Sequence, residues 1–99
     1  MAETKSKTVM FNDDGIAKLP KDKPVVYKIK NAQGQNIYTG IAKRGQAQNR
    51  IKDHLPGGQD AIPGGAKVQI QQKTSMDDAK RSESRIIARS KPRYNKKGK

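Results

Sequence analysis

Apolar and polar positions alternate from Val25 to Lys30, with Val25, Tyr27 and Ile29 on one face and Val26, Lys28 and Lys30 on the other. That period of two is the pattern of a strand. A turn-forming run, Asn31-Ala32-Gln33-Gly34-Gln35-Asn36, leads into a second β-branched stretch, Ile37–Ile41. Ile37, Thr39 and Ile41 share one of its faces, Tyr38 and Gly40 the other. A short glycine-containing link between two such runs predicts a hairpin, hence antiparallel pairing. From Gln46 to Leu55 the spacing changes to threes and fours: Ala47, Arg50, Ile51 and His54 predict a helix that projects Arg50 and His54 from the same side. Pro56–Gly65 holds four glycines and two prolines and predicts loop. Ala66–Gln71 predicts a third strand with Val68 and Ile70 on a common face. Ser75, with Asp78 three positions on, predicts the capped start of a helix from Met76 to Ser90 that Lys91-Pro92 stops.

Ahead of this unit, Thr8–Phe11 and Ile16–Leu19 flank the turn-like Asn12-Asp13-Asp14-Gly15 and predict a peripheral hairpin, while residues 1–8 are charged, small and expected to be mobile. The chain thus divides into an N-terminal extension (1–23), a patterned domain (24–95) and a basic tail (96–99). The order strand, strand, helix, strand, helix predicts an α+β fold: a small three-stranded antiparallel sheet flanked by helices, with the extra hairpin in front.

The 99 residues allow one small domain. Hydrophobic residues make up 31% and aromatics 4%, so its stability is expected to be modest. The balance of 22 Lys+Arg against 9 Asp+Glu, a formal charge of +13, points to a polyanion as partner. The absence of cysteine excludes a disulfide scaffold, thiol catalysis and a zinc ribbon, and the single histidine, His54, excludes a two-His metalloprotease helix. No stretch approaches the ~18 apolar residues of a membrane span, and the polar start MAETKSKTV has no apolar core of a secretory signal. A cytoplasmic protein without membrane contact is expected.

Within the last helix Met76, Ala79, Ile86 and Ile87 mark an apolar stripe, and Glu83 falls four after Ala79 and four before Ile87. A carboxylate on that seam must be paired, metal-bound or at the rim. It is either a rim glutamate paired with Arg81, Arg85 or a nearby lysine, or a metal ligand. Tyr27 and Tyr38 come from adjacent strands, where tyrosines commonly pack for structural reasons, and Arg50 and His54 could form a solvated helix face. Six basic residues from Arg89 to Lys99, with no acid among them, favour phosphate contact.

Taken together, Val25-Val26-Tyr27, ten residues, and then Tyr38-Thr39-Gly40 resemble the paired motif of the GIY-YIG nucleases. Arg50-Ile51-Lys52-Asp53-His54 is similar to that family's helical Arg with a His four later. Glu83 is similar to its metal-binding Glu, and Pro92-Arg93-Tyr94-Asn95 to its closing Pro and Asn. The resemblance spans residues 24–95. Val25 stands where the family has its first glycine and Thr39 where it has Ile, and Arg44-Gly45 lengthens the link from Gly40 to Arg50. Arg50 rather than Arg44 matches the catalytic arginine, because only Arg50 has His54 one turn on.

The resemblance implies a metal-dependent endonuclease that hydrolyses DNA to 5′-phosphate and 3′-hydroxyl ends, with RNA left open as a substrate. Glu83 would hold one Mg²⁺ (or Mn²⁺). Tyr27 would act as general base or orient the attacking water, with Arg50 and nearby lysines helping its phenol to ionise. Tyr38 would hydrogen-bond the water or phosphate, Arg50 would stabilise transition-state charge, and His54 would assist. Asn95 would pin the tail, and Gly40 would permit a close approach. Lys28, Lys43, Arg44, Arg93, Lys96 and Lys97 are the cations expected to contact nucleic acid. A protein partner or an oligomer would supply specificity, since the chain has no length for a recognition domain. The alternative is a non-catalytic basic nucleic-acid-binding module in which the same residues are structural.

Overall fold

A computed structural model describes residues 6–19, 23–55, 57–59 and 61–92. The elements run β1 (Ser6–Met10), α1 (Asp13–Ile16), β2 (Val25–Lys30), β3 (Asn36–Ala42), α2 (Ala47–Lys52), β4 (Lys67–Gln72) and α3 (Met76–Ser90). The strands form one antiparallel sheet in the order β1-β4-β2-β3. The α+β layering expected from the sequence is therefore present, with four strands rather than three.

The additional strand is the first arm of the expected N-terminal hairpin; the second arm is not a strand. Asn12 adopts an extended backbone and its side-chain oxygen accepts a hydrogen bond from the Gly15 amide at 2.8 Å, while Asp13 and Asp14 occupy the positive first turn. The segment expected to turn back thus caps a short helix. β1 pairs instead with β4, with Val9 opposite Val68.

Register decides what each face carries. Tyr27 lies opposite Gly40 on β3 and opposite Ile70 on β4, and Ile29 lies opposite Tyr38 and Val68. Val9, Val25, Tyr27, Ile29, Val68 and Ile70 therefore share one face. They form the core with Ile16 and Leu19 around α1, Ala47 and Ile51 of α2, and Ile62. Ile37 also joins the core, because an irregularity between Ile29 and Lys30 breaks the strict alternation expected of β3.

Val26 and Thr39 alternate to the opposite face and are buried there, as is Ala79 of α3, the helix packed on β3 and β2. Asn36 donates to the Thr39 hydroxyl at 2.7 Å, which satisfies that buried group. Helix α3 spans the predicted residues. The Asp78 amide donates to the Ser75 hydroxyl at 3.2 Å, and Lys91 ends the helix in the left-handed region at φ 46°.

Candidate active site

β3 is an edge strand with α2 at its end and α3 packed against it, so residues from these two helices can meet around its edge. An open cleft of about 490 Å³ forms there, lined by Ile41, Ala42, Lys43, Gln46, Arg50 and Met76. Behind it three rings from distant parts of the chain converge. The centroids of Tyr38 and His54 are 4.7 Å apart, those of Tyr27 and His54 5.8 Å, and those of Tyr27 and Tyr38 6.1 Å.

Tyr27 reaches this point by crossing Gly40. A Cβ on Gly40 would stand 2.6 Å from the Tyr27 hydroxyl oxygen, 2.7 Å from its Cζ and 3.0 Å from the Tyr38 ring. Only a residue without a side chain lets the phenol pass over β3. The Tyr27 Oη lies 2.9 Å from His54 Nε2, and the Arg50 guanidinium is near enough to act on the phenol electrostatically. One proton, from the phenol or from the imidazole, bridges Oη and Nε2. His54 sits in the turn after α2, where its carbonyl accepts from the Ile62 amide at 2.9 Å.

Two expected properties of Tyr27 change. The side chain is 0% exposed and His54 only 3%, so neither presents its polar atoms to the open cleft. The Tyr27 phenol is pushed well above its usual range, first by burial and then by Tyr38; Arg50 lowers it, as expected from the sequence, but burial wins. Burial thus favours the neutral hydroxyl at Tyr27, against the ionisation that neighbouring cations were expected to promote. Removing that hydroxyl takes from buried His54 the partner of its Nε2. Tyr27→Phe is expected to cost about 1–3 kcal/mol of folding stability, read as a lower midpoint in urea or thermal unfolding.

Glu83 is half-buried on α3. Burial raises its carboxyl above the usual range, while Arg50 and then Lys80 act to lower it. Glu83 also bears electrostatically on Tyr27. Arg81, one of the expected rim partners of Glu83, lies 3.4 Å from Asp78. Tyr27, Tyr38, Arg50, His54 and Glu83 are thus drawn together from β2, β3, α2, the turn after it, and α3.

The remaining expectations divide. Lys43 lines the cleft, and Arg44 is exposed in the turn before α2. Lys28 is not beside the cleft: it lies on the opposite sheet face, near Lys30 and Arg89. Arg93, Asn95, Lys96 and Lys97 lie outside the described residues. Sequence reasoning missed Gln46 and Met76 in the cleft wall, and Lys80 beside Glu83. Gln46 stands four before Arg50 and Lys80 three before Glu83, helical spacings that could have found both.

No family model matches the chain, and no curated protein matches its sequence. Among the described residues no helix is long and apolar enough to cross a membrane.

Proposed function

We propose that the chain is a metal-dependent endonuclease that hydrolyses phosphodiester bonds in DNA. The observation that carries this reading is the position of Arg50, which lines the cleft and acts electrostatically on both the Tyr27 phenol and the Glu83 carboxyl. A planar guanidinium exposed at the cleft wall suits a phosphate with developing charge. Tyr38, half-exposed beside His54, orients the attacking water. Tyr27 and His54, closed off behind it, hold the geometry. The water oxygen bonds to phosphorus as the bond to the 3′ oxygen breaks; one water proton ends on that oxygen and the other in solvent. The products are a 5′-phosphate and a 3′-hydroxyl.

Glu83 is the residue that would hold the divalent ion. Its raised carboxyl shows that Arg50 and Lys80 leave the buried negative charge undercompensated, a condition a cation relieves. Among the described residues no three His, Asp or Glu side chains cluster, which suits Mg²⁺, an ion that binds through one or two carboxylates and keeps much of its water. When bound, such an ion supplies charge neutralisation at the phosphate and the leaving oxygen.

Low-specificity cutting, or a partner that supplies the target, accompanies this reading. The test is plasmid nicking in Mg²⁺, in Mn²⁺ and in EDTA: cleavage in either metal and none in EDTA is expected. Arg50→Lys, which keeps the charge but loses the fork, is expected to slow nicking by roughly 10²-fold. A second reading, a non-catalytic basic nucleic-acid-binding module, is favoured by the closure of Tyr27 and His54 from solvent. It predicts no nicking in any metal with DNA binding retained.

A further inference from the structure

The face of the sheet opposite the core is only partly covered. Helix α3 packs there on β3 and β2. Toward β4 and β1 the same face carries Lys28 opposite Gln69, Lys30 opposite Lys67, and Gln71 opposite Val26. Lys67 is exposed, and Lys28, Lys30, Gln69 and Gln71 are half-exposed. Arg89, from the last turn of α3, bears on Lys28 from the side.

We propose that this open half of the sheet is a second nucleic-acid contact surface, in which Lys28, Lys30, Lys67 and Arg89 bind the phosphate backbone and Gln69 and Gln71 add amide hydrogen bonds. It rests on the nucleic-acid half of the reading above and not on catalysis. Charge complementarity carries it. β1, β2 and β4 contain no Asp or Glu, and α3 has none after Glu83, so the three lysines lack a carboxylate on their own strands and Arg89 has none within the last turn of its helix. They also repel one another: burial, Lys30 and Arg89 together lower the Lys28 ammonium below its ordinary range. Cations gathered at a cost to folding are relieved by a polyanion that neutralises them together. Among the described residues the face carries no aromatic ring on which a base could stack, so the contact proposed falls on the backbone and discriminates little between sequences.

The experiment measures affinity for a short fluorescein-labelled DNA duplex across a salt series in EDTA, where nothing is cut. It compares the parent, Lys28→Gln/Lys30→Gln/Lys67→Gln, and a charge-matched control, Lys23→Gln/Lys52→Gln/Arg81→Gln, whose residues are not part of this patch. The patch variant is expected to bind about tenfold more weakly at low salt and to lose roughly 2.7 from the log–log salt slope, at ~0.9 per phosphate contact. The control should lose markedly less, and thermal unfolding should show both variants folded. Equal losses in the two variants, or an unchanged slope in the patch variant, would overturn the surface. Because cleavage is not read, a parent that never nicks plasmid in any metal would end the nuclease reading and leave the slope comparison standing.

Discussion

Glu83→Ala is expected to reduce metal-dependent nicking by roughly a thousandfold or more, the scale of several kcal/mol of transition-state charge stabilisation, while DNA affinity in EDTA stays near that of the parent. Its isostere Glu83→Gln should show the same loss of nicking together with greater folding stability at neutral pH. The stability part follows from linkage. The folded protein holds the Glu83 proton more tightly than the unfolded chain does, because burial outweighs Arg50 and Lys80. Stability contributed by the protonated group is complete below the ordinary carboxylate range, and it is lost as pH rises through the raised folded value. At about pH 7 the parent carries the whole penalty of a half-buried carboxylate and Glu83→Gln does not. Thermal melts in EDTA at about pH 7 and about pH 4 check this: the gain should appear at the higher pH and shrink at the lower. A residue that costs stability and whose loss ends cleavage has a functional reason to be there. Glu83→Gln nicking at the parent's rate in Mg²⁺ or Mn²⁺ would remove the nuclease proposal.

The elements that rest on local signals were legible in the sequence. Strict alternation set the bounds of β2, and the Ser75–Asp78 cap set the start of α3. The expected hairpin failed on a local detail: Ile16 and Leu19, three apart, are spaced for a helix as well as a turn, and Asn12 decided the matter by capping Gly15. Pairing of β1 with β4 joins segments about sixty residues apart, and no local pattern encodes it. At the site, chain order and resemblance pointed to Tyr27, Tyr38, Arg50, His54 and Glu83. They could not reveal that Tyr27 is closed from solvent, because that depends on His54 and Ile51 folding over it from another part of the chain. Lys28 is instructive in the other direction. Its period-two position already set it on the face opposite Tyr27, and the alternation outweighed its nearness in sequence.

Gly40→Ala is expected to be strongly disruptive for the addition of a single methyl group. The added Cβ would meet the Tyr27 Oη at 2.6 Å and Cζ at 2.7 Å, and the phenol has nowhere to retreat, being fully buried over Ile70 with Ile29 beside it. Overpacking of this kind costs about 1–3 kcal/mol, and displacing Oη from His54 adds a further ~1–3 kcal/mol. For a domain of this size each kcal/mol lowers the midpoint by roughly 4–8 °C, so a fall of about 10 °C or more is expected. Nicking should fall by about 10²-fold, the scale of a misplacement near 1 Å, because the Tyr27, Tyr38 and His54 rings shift together. The double variant Gly40→Ala/Tyr27→Phe identifies the cause. Without Oη the closest clash disappears and the polar contacts are already gone, so the double variant should be more stable than the sum of the two single losses predicts. Additive losses would mean that the phenol does not cross Gly40.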